Sequence, residues 1–131
     1  MEQLILAAQS SRENAYVPYS NFKVGAAVLT SGEKIYTGCN VENASYGLCN
    51  CAERTAIFKA VSEGELDLVA IAIIADTAQP VAPCGACRQV MAEFGINKII
   101  MCNLRGQQYI ATLEELLPYS FGKKHLSGEI V

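Results

Sequence analysis

Two short segments of the sequence combine residue types that could hold a metal ion and move a proton. They are 51–54 (Cys-Ala-Glu-Arg) and 83–87 (Pro-Cys-Gly-Ala-Cys), and each is predicted to open a helix after a strand. Cys84 and Cys87 lie at positions i and i+3, on one face of a first helical turn, and Cys51 lies at the mouth of the other helix. Three thiolates that converge from two helix N-termini form three corners of a tetrahedron. Zinc is the metal expected for such a set, and three protein ligands leave its fourth position for water.

Glu53 is the acidic residue of the first segment and follows Cys51 by two positions. In the middle of a helix, residues i and i+2 point to nearly opposite sides, but side chains in the first turn tilt back toward the N-terminus. Both can therefore reach a site beyond the helix end, Cys51 as a metal ligand and Glu53 as a proton carrier. The alternative makes Glu53 only the partner of an Asn50 cap, which does not explain its place beside Cys51.

The cysteines allow two other interpretations. A Cys-x-x-Cys pair that opens a helix after a strand is also typical of thiol-disulfide oxidoreductases, although this assignment to Cys84 and Cys87 leaves Cys51 unexplained. A purely structural zinc would normally take a fourth protein ligand, which Cys49 could supply. Otherwise the remaining cysteines are expected to be small, buried apolar residues: Cys39, Cys49 and Cys102.

Apolar periodicity and turn signals predict the helices and strands that would position these segments. The expected helices cover 3–15, 51–62, 83–94 and 112–117, and the expected strands cover 22–30, 35–42, 66–75, 98–102 and 108–111. The nearly continuous apolar run 66–75 is typical of a strand that is covered on both faces. The predicted fold class is therefore α/β, a three-layer α/β/α arrangement with a mixed five-stranded sheet.

Composition restricts the class of protein further. The chain has 131 residues, 51% hydrophobic and 18% charged, which suits a single globular domain over 1–131. Its net charge of −3 offers none of the clustered cations that grip nucleic-acid phosphates. No apolar run reaches the length of a membrane span, and the acidic start does not resemble an export signal. We therefore expect a cytoplasmic protein that binds neither nucleic acid nor membrane, and whose cysteines form no disulfide framework.

Several motifs resemble, in their order along the chain, those of the small cytidine deaminases that act on free nucleosides. They are YVPYSNFKVGAA (16–27), GCNVENASYG (38–47), NCAERTA (50–56) and PCGAC (83–87), and the similarity continues through Leu-Leu-Pro (116–118) and Phe121. A cysteine, a Glu two residues later and then Pro-Cys-x-x-Cys form the signature of zinc deaminases. The resemblance implies a homotetramer with one Zn²⁺ per chain. It also implies conversion of cytidine and deoxycytidine to uridine and deoxyuridine, with release of ammonia, in pyrimidine salvage.

The resemblance gives Glu53 and Arg54 separate roles. Zinc lowers the pKa of its water toward about 7, and Glu53 is implied to carry protons to ring atom N3 and to the departing amino group. Zinc with three thiolates has a net charge of −1, which a nearby guanidinium would offset. The resemblance therefore implies that Arg54 donates to the sulfurs of Cys51 and Cys84.

The resemblance also assigns the residues that contact the substrate. They are Phe22 at the pyrimidine, Asn40 and Glu42 at the ribose hydroxyls, backbone groups near Ala52 and Ala82 at the base edge, and Tyr46 and Phe121, which reach a neighbouring subunit's pocket. Asn40 and Glu42 lie two apart on a predicted strand end and so share a face. By themselves they would be ordinary turn and surface residues, and Phe22 would belong to the core. A blasticidin S-type deaminase has similar zinc motifs and is the nearest rival, but these three residues favour ordinary nucleosides.

Overall fold

A five-stranded mixed sheet organises the protein, as the sequence predicts. The computed structural model describes residues 1–128. Its elements are α1 (Glu2–Arg12), β1 (Val24–Thr30), β2 (Ile35–Cys39), a 3₁₀ turn (Tyr46–Leu48), α2 (Ala52–Ser62), β3 (Leu68–Ala75), α3 (Gly85–Glu93), β4 (Lys98–Asn103), β5 (Gln108–Ala111), α4 (Leu113–Leu116) and α5 (Lys123–Ser127). The strand order is β2-β1-β3-β4-β5, and β3 with β4 is the parallel pair. Residues 129–131 lie outside the described part, so the domain bounds 1–131 stay a prediction.

The central strand β3 contributes side chains to both hydrophobic clusters, one on each face of the sheet. Ile71 and Ile73 face the layer that contains α2 and α3. Ala70, Ala72 and Ile74 face α1, where the alanines leave room for the helix to pack closely. Because each face of the sheet is covered by helices, the predicted three-layer α/β/α fold is confirmed.

Two strand glycines allow helices to lie directly on the sheet. A Cβ at Gly25 would collide with the Ala8 carbonyl of α1, and a Cβ at Gly38 would collide with the backbone of Ala52 and Ala56 in α2. Backbone approach this close requires glycine. Gly38 therefore lets the first turn of α2, which carries Glu53, sit against the edge strand.

Two predicted elements end three residues earlier than expected, and one pairing of backbone segments explains both. Helix α1 ends at Arg12 and strand β2 ends at Cys39, where the sequence predicted 15 and 42. The Tyr16 N–H donates to the Asn40 carbonyl and the Glu42 N–H donates to the Tyr16 carbonyl. The chain leaves each element early because these backbone groups pair with one another.

The C-terminal region contains one predicted helix and one that the sequence analysis missed. A capping box starts α4, with Thr112 and Glu115 exchanging hydrogen bonds. Helix α5 was not predicted. It contains His125, whose exposed ring stacks on Phe121 at a centroid distance of 5.3 Å. No helix in residues 1–128 is long and apolar enough to cross a membrane.

Candidate metal centre and active-site cleft

Three cysteine sulfurs meet where the N-termini of α2 and α3 approach each other. Cys51 is the N-cap of α2, Cys84 is the N-cap of α3, and Cys87 lies in the first turn of α3. The Sγ atoms of Cys51 and Cys84 are 3.7 Å apart, and those of Cys84 and Cys87 are 3.5 Å apart. All three sulfurs lie within 4.8 Å of one another. The structure thus brings together the three cysteines that their spacing singled out.

The arrangement of the sulfurs fits a tetrahedral zinc ion. Zinc–sulfur bonds of about 2.3 Å at tetrahedral angles separate two sulfurs by about 3.8 Å, which is close to the observed distances. An all-sulfur donor set also selects zinc over the hard cations. Each helix N-terminus contributes roughly half a positive charge, which stabilises thiolates at the site.

The pKa values of Cys51 and Cys87 are shifted in opposite directions, which favours a cation between the sulfurs. Hydrogen bonds from Cys87 first, and then from Arg54 and Cys84, outweigh burial and lower the pKa of Cys51 to about 5. The pKa of Cys87 is raised, because its proton is held by the Cys51 sulfur and burial disfavours a second thiolate. A bound divalent cation allows both groups to be thiolates, since a coordinating thiol is deprotonated outright.

Arg54 supplies positive charge at the sulfurs. Its Nη2 donates to the Cys51 Sγ at 3.4 Å, and its Nε is buried with no hydrogen-bond partner in the part of the chain described. Cys51 and then Cys87 raise the pKa of Arg54, whereas the sequence analysis expected Cys51 and Cys84. A half-buried guanidinium with one unsatisfied donor is suited to offset the charge of a thiolate-bound metal.

Glu53 is buried beside the sulfurs, with only 4% of its surface exposed. Burial raises the pKa of Glu53 to about 7, and the neighbouring Cys51 thiolate adds to this increase. A carboxyl group with a pKa near neutrality can both take and give a proton at physiological pH. This is the property that a proton carrier needs.

A cleft of about 210 Å³ opens onto this centre. Its wall contains many of the predicted residues, namely Cys51, Ala52, Glu53, Ala82 and Cys84 from the two motifs and Phe22 and Asn40 from the other side. The Asn40 amide is held in place by backbone groups: its Oδ1 accepts from the Val24 N–H at 2.9 Å, and its Nδ2 donates to the Phe22 carbonyl at 2.8 Å. Asn40 therefore fixes the backbone from Phe22 to Val24.

Glu42 lies in a second cavity of about 270 Å³ rather than in the cleft itself, with Tyr46, Tyr19 and Ser20. Its carboxylate accepts from the backbone N–H groups of Tyr19 at 3.0 Å and Ser20 at 3.1 Å, and also from the Ser20 hydroxyl. The Ser20 hydroxyl, which lowers the pKa of Glu42 most, in turn accepts from the Phe22 N–H at 3.0 Å. The sequence analysis missed Ser20, which links the two cavities.

Phe121 lies away from both cavities. Its carbonyl accepts from the Gln89 Nε2 at 2.8 Å, on the outer side of α3.

The other cysteines are also separate from the metal centre. The Cys49 sulfur accepts from the Asn43 N–H at 3.3 Å and so gives no fourth ligand, while Cys102 is buried as expected. Cys39 and Cys49 are half-buried, whereas the sequence predicted both to be buried.

Asn103 is a further residue that the sequence analysis missed. It is buried at the end of β4, and its Nδ2 donates to the carbonyls of Thr77 at 3.0 Å and Ala78 at 3.2 Å. Its Oδ1 accepts from the N–H groups of Arg105 and Gln107. Asn103 thus fastens the loop that leads from β3 to Cys84. A polar residue that ends an apolar strand is the one signal that could have drawn attention to it.

Three sulfurs at two helix N-termini, with a buried carboxylate beside them, form the arrangement of a zinc-dependent deaminase. Residues 1–103 match the family model described as the cytidine and deoxycytidylate deaminase zinc-binding region. Cytidine deaminase of Sporosarcina psychrophila is 53% identical over 129 residues, which cover 97% of this chain and 95% of the relative. Cytidine deaminase of Halalkalibacterium halodurans is 57% identical over 122 residues, 92% of each chain.

Solved structures agree with the sequence relatives. The 1.6 Å crystal structure of cytidine deaminase from Burkholderia pseudomallei has a TM-score of 0.89 and 52% identity, and the match covers 92% of this chain and 98% of that chain. The chain therefore belongs to the cytidine deaminase family. The predicted enzyme class, the deamination of cytidine and the zinc cofactor are confirmed. The blasticidin S-type and oxidoreductase alternatives are not favoured.

Proposed function

We propose that Cys51, Cys84 and Cys87 hold the zinc of this cytidine deaminase and that Glu53 is its proton carrier. One observation carries the proposal: the three sulfurs lie within 4.8 Å of one another, and two of them, those of Cys51 and Cys84, line the same cleft as the buried Glu53. The substrates are cytidine and deoxycytidine, and the products are uridine, deoxyuridine and ammonia, as in pyrimidine salvage.

The residues of the chain perform the proton transfers of the reaction. When bound, zinc lowers the pKa of a water molecule toward about 7, so that the nucleophile is available at neutral pH. Glu53 accepts one proton of the attacking water and gives it to N3 of the pyrimidine, which makes C4 electrophilic, and the water oxygen bonds to C4. The proton that remains on this oxygen then passes through Glu53 to the amino group, the C4–N bond breaks, and ammonia leaves. Burial raises the pKa of Glu53 above its ordinary value, which favours the protonated form that donates to the amino group.

The base binds in the cleft with its ring against Phe22 and its edge near the backbone of Ala52 and Ala82. A cavity of about 210 Å³ is below the range of about 300–1,000 Å³ that suits drug-sized ligands, so it matches a single pyrimidine ring. Asn40 lines the same cleft and binds a ribose hydroxyl. Glu42 binds a sugar hydroxyl from the adjoining cavity, since a carboxylate has about four acceptor sites and Tyr19 and Ser20 use three of them.

The same arrangement favours free nucleosides over nucleic acids. A phosphate on the sugar would meet the Glu42 carboxylate, and like charges repel at close range. The net charge of −3 provides no basic track for a strand. Cytidine and deoxycytidine are therefore good substrates, whereas 3′-phosphorylated cytidine and cytosine-containing oligonucleotides are poor ones.

The active unit is a homotetramer in which aromatic residues complete a neighbour's pocket. Tyr46 is 73% exposed and Phe121 is 57% exposed, which is unusual for large aromatic side chains and favours contact with a partner. The working compartment is the cytoplasm, where a thiolate site and free cysteines are kept reduced. The chain acts as one domain over 1–131.

Ammonia release from cytidine tests the proposal. The protein as purified is assayed, then stripped of metal with a chelator, and then assayed again after one equivalent of zinc is returned. We expect activity, loss of activity and recovery of activity, with cytosine as free base a poor substrate throughout. A metal-stripped protein that still releases ammonia at the original rate would contradict the zinc mechanism. Equal rates on cytidine and on an oligonucleotide would contradict the nucleoside assignment.

A further inference from the structure

Arg88 follows directly after Cys87 and makes two hydrogen bonds that the metal centre itself does not explain. Its Nε donates to the Pro83 carbonyl at 2.9 Å, and its Nη1 donates to the Leu116 carbonyl at 2.7 Å. Both are short, well-formed bonds. One guanidinium group therefore joins the residue before Cys84 to the end of α4.

Arg88 also lacks a carboxylate partner. None of the ion pairs formed within residues 1–128 includes it. Its side chain is half-buried, and both its contacts are carbonyl oxygens of the backbone. The planar guanidinium presents donors in a fixed fork that a lysine ammonium cannot reproduce. The geometry thus depends on the shape of the group rather than on its charge alone.

The position of the Pro83 carbonyl affects the metal centre, because Pro83 immediately precedes Cys84, the N-cap residue of α3. The backbone N–H of Arg88 donates to the Cys84 carbonyl at 3.0 Å. Arg88 therefore contacts this turn twice, from its backbone and from its side chain. Since Cys84 is exposed, few packing contacts hold its sulfur, and hydrogen bonds must fix the direction in which it points.

We propose that Arg88 is a positioning residue for the metal centre: its fork fixes the Pro83 carbonyl against the end of α4 and so holds the first turn of α3 in the conformation that binds zinc. The proposal rests on the assignment of Cys84 and Cys87 as ligands. It also gives the four-residue helix α4 a role, since Leu116 is its last residue and its carbonyl would otherwise lack a helical partner.

The neighbouring residue Gln89 provides a matched control. Its Nε2 donates to the Phe121 carbonyl at 2.8 Å, so it also joins α3 to the C-terminal region. It does not, however, contact the turn that contains Cys84. If any link between α3 and this region were enough, Gln89 and Arg88 would be equivalent.

The test measures zinc release from Arg88→Lys, Arg88→Gln and Gln89→Ala into an excess of a colour-forming chelator. We expect both Arg88 variants to release zinc about 10-fold faster than wild type, which is the lower end of the 10–100-fold effects of groups that orient metal ligands. Gln89→Ala is expected to release zinc at the wild-type rate. Arg88→Lys keeps the positive charge but not the planar arrangement of donors. Its zinc-release rate therefore separates the effect of this geometry from the effect of the charge.

Thermal unfolding of each variant, with and without zinc, separates positioning from general stability. A ligand that binds only the folded state raises the midpoint by an amount that grows with the logarithm of its affinity, so the rise produced by zinc is expected to be smaller in both Arg88 variants. A wild-type release rate in Arg88→Lys would overturn the proposal, as would an equal loss of midpoint with and without zinc. Failure of the metal assignment itself is distinguishable, because Cys84→Ala and Cys87→Ala would then retain stoichiometric zinc.

Discussion

A single chain forms the metal-binding part of the cleft more completely than the part that we assign to the sugar. The sulfurs of Cys51, Cys84 and Cys87 already stand at distances suited to zinc, and Glu53 is buried beside them. In the sugar region, Glu42 is bonded to its own chain, and Tyr46 is largely exposed. The fold thus already positions the groups proposed to perform the chemistry, whereas binding of the sugar depends on further contacts.

The difference follows from the elements that carry each part. The metal ligands lie at the ends of helices that pack on the sheet, with Gly38 and Asn103 holding the backbone nearby. The sugar residues lie in loops and in a 3₁₀ turn on the surface. Rigid elements position catalytic groups more accurately than loops do. Substitutions in the first part should therefore change the chemical step, and those in the second should change substrate selection.

The largest effect is expected for Glu53→Gln. The amide keeps the shape of the side chain but cannot carry protons, so turnover of cytidine should fall by about 10⁴-fold, the upper end for general acid–base catalysis. Zinc content measured by atomic absorption should remain at one per chain. Turnover within tenfold of wild type would show that Glu53 only caps α2, and loss of zinc would make it part of the metal-binding set.

A smaller effect, on substrate selection, is expected for Glu42→Ala. The variant should keep its zinc and lose about 10²-fold in kcat/KM on cytidine, because a sugar hydroxyl loses a charged acceptor worth about 1.5–3 kcal/mol. On 2′,3′-dideoxycytidine, which lacks these hydroxyls, wild type and Glu42→Ala should differ little.

Ser20→Ala is the control for Glu42→Ala, since it removes the Ser20 hydroxyl from Glu42 and from the Phe22 N–H but leaves the carboxylate. We expect it to affect both nucleosides equally and by less than Glu42→Ala affects cytidine. If Ser20→Ala reproduced the whole loss on cytidine, Glu42 would be a support for the Phe22 loop and not a contact to the sugar.

Phe121→Ala tests whether assembly of the subunits contributes to the substrate-binding part of the cleft. If Phe121 completes a neighbour's pocket, the variant should raise the KM for cytidine by about tenfold, equivalent to about 1.4 kcal/mol, and leave zinc content unchanged. Sedimentation and activity measured over the same dilution series provide the check. A wild-type monomer that stays fully active on dilution would remove both Phe121 and Tyr46 from any role in a neighbouring subunit.

The smallest effect is expected for Asn103→Asp, which changes the loop clamp and not the chemistry. The carboxylate cannot donate to the Thr77 and Ala78 carbonyls, and leaving such buried groups unpaired costs about 1–3 kcal/mol. Urea unfolding of the zinc-loaded protein measures the loss. Asn97→Asp, at an exposed position, should change stability by less than about 0.5 kcal/mol, and an equal loss there would contradict the clamp.

The sequence predicted the core of the fold and of the metal centre because both follow from local patterns. The apolar run of β3 and the spacing within PCGAC depend on strand and helix periods, which the residues themselves display. The early ends of α1 and β2 depend on pairing between Tyr16 and the segment after Cys39. Such long-range bonds leave no local pattern.

The missed residues have the same physical explanation. Ser20 and Asn103 are ordinary turn residues in the sequence, and they acquire their roles only when the fold brings Glu42 and Thr77 beside them. Helix α5 is too short to show a helical period. The residue type of Glu42 is readable from the sequence, whereas its position in a separate cavity is not.

Zinc stoichiometry in single cysteine variants tests the central claim most directly. Cys51→Ala, Cys84→Ala and Cys87→Ala should each lose stoichiometric zinc and all measurable turnover of cytidine, because the tetrahedral set is broken. Cys102→Ala, which changes a buried cysteine on the opposite face of the sheet, should keep one zinc per chain and its activity. Retention of one zinc and normal turnover in Cys51→Ala, Cys84→Ala or Cys87→Ala would contradict the assignment.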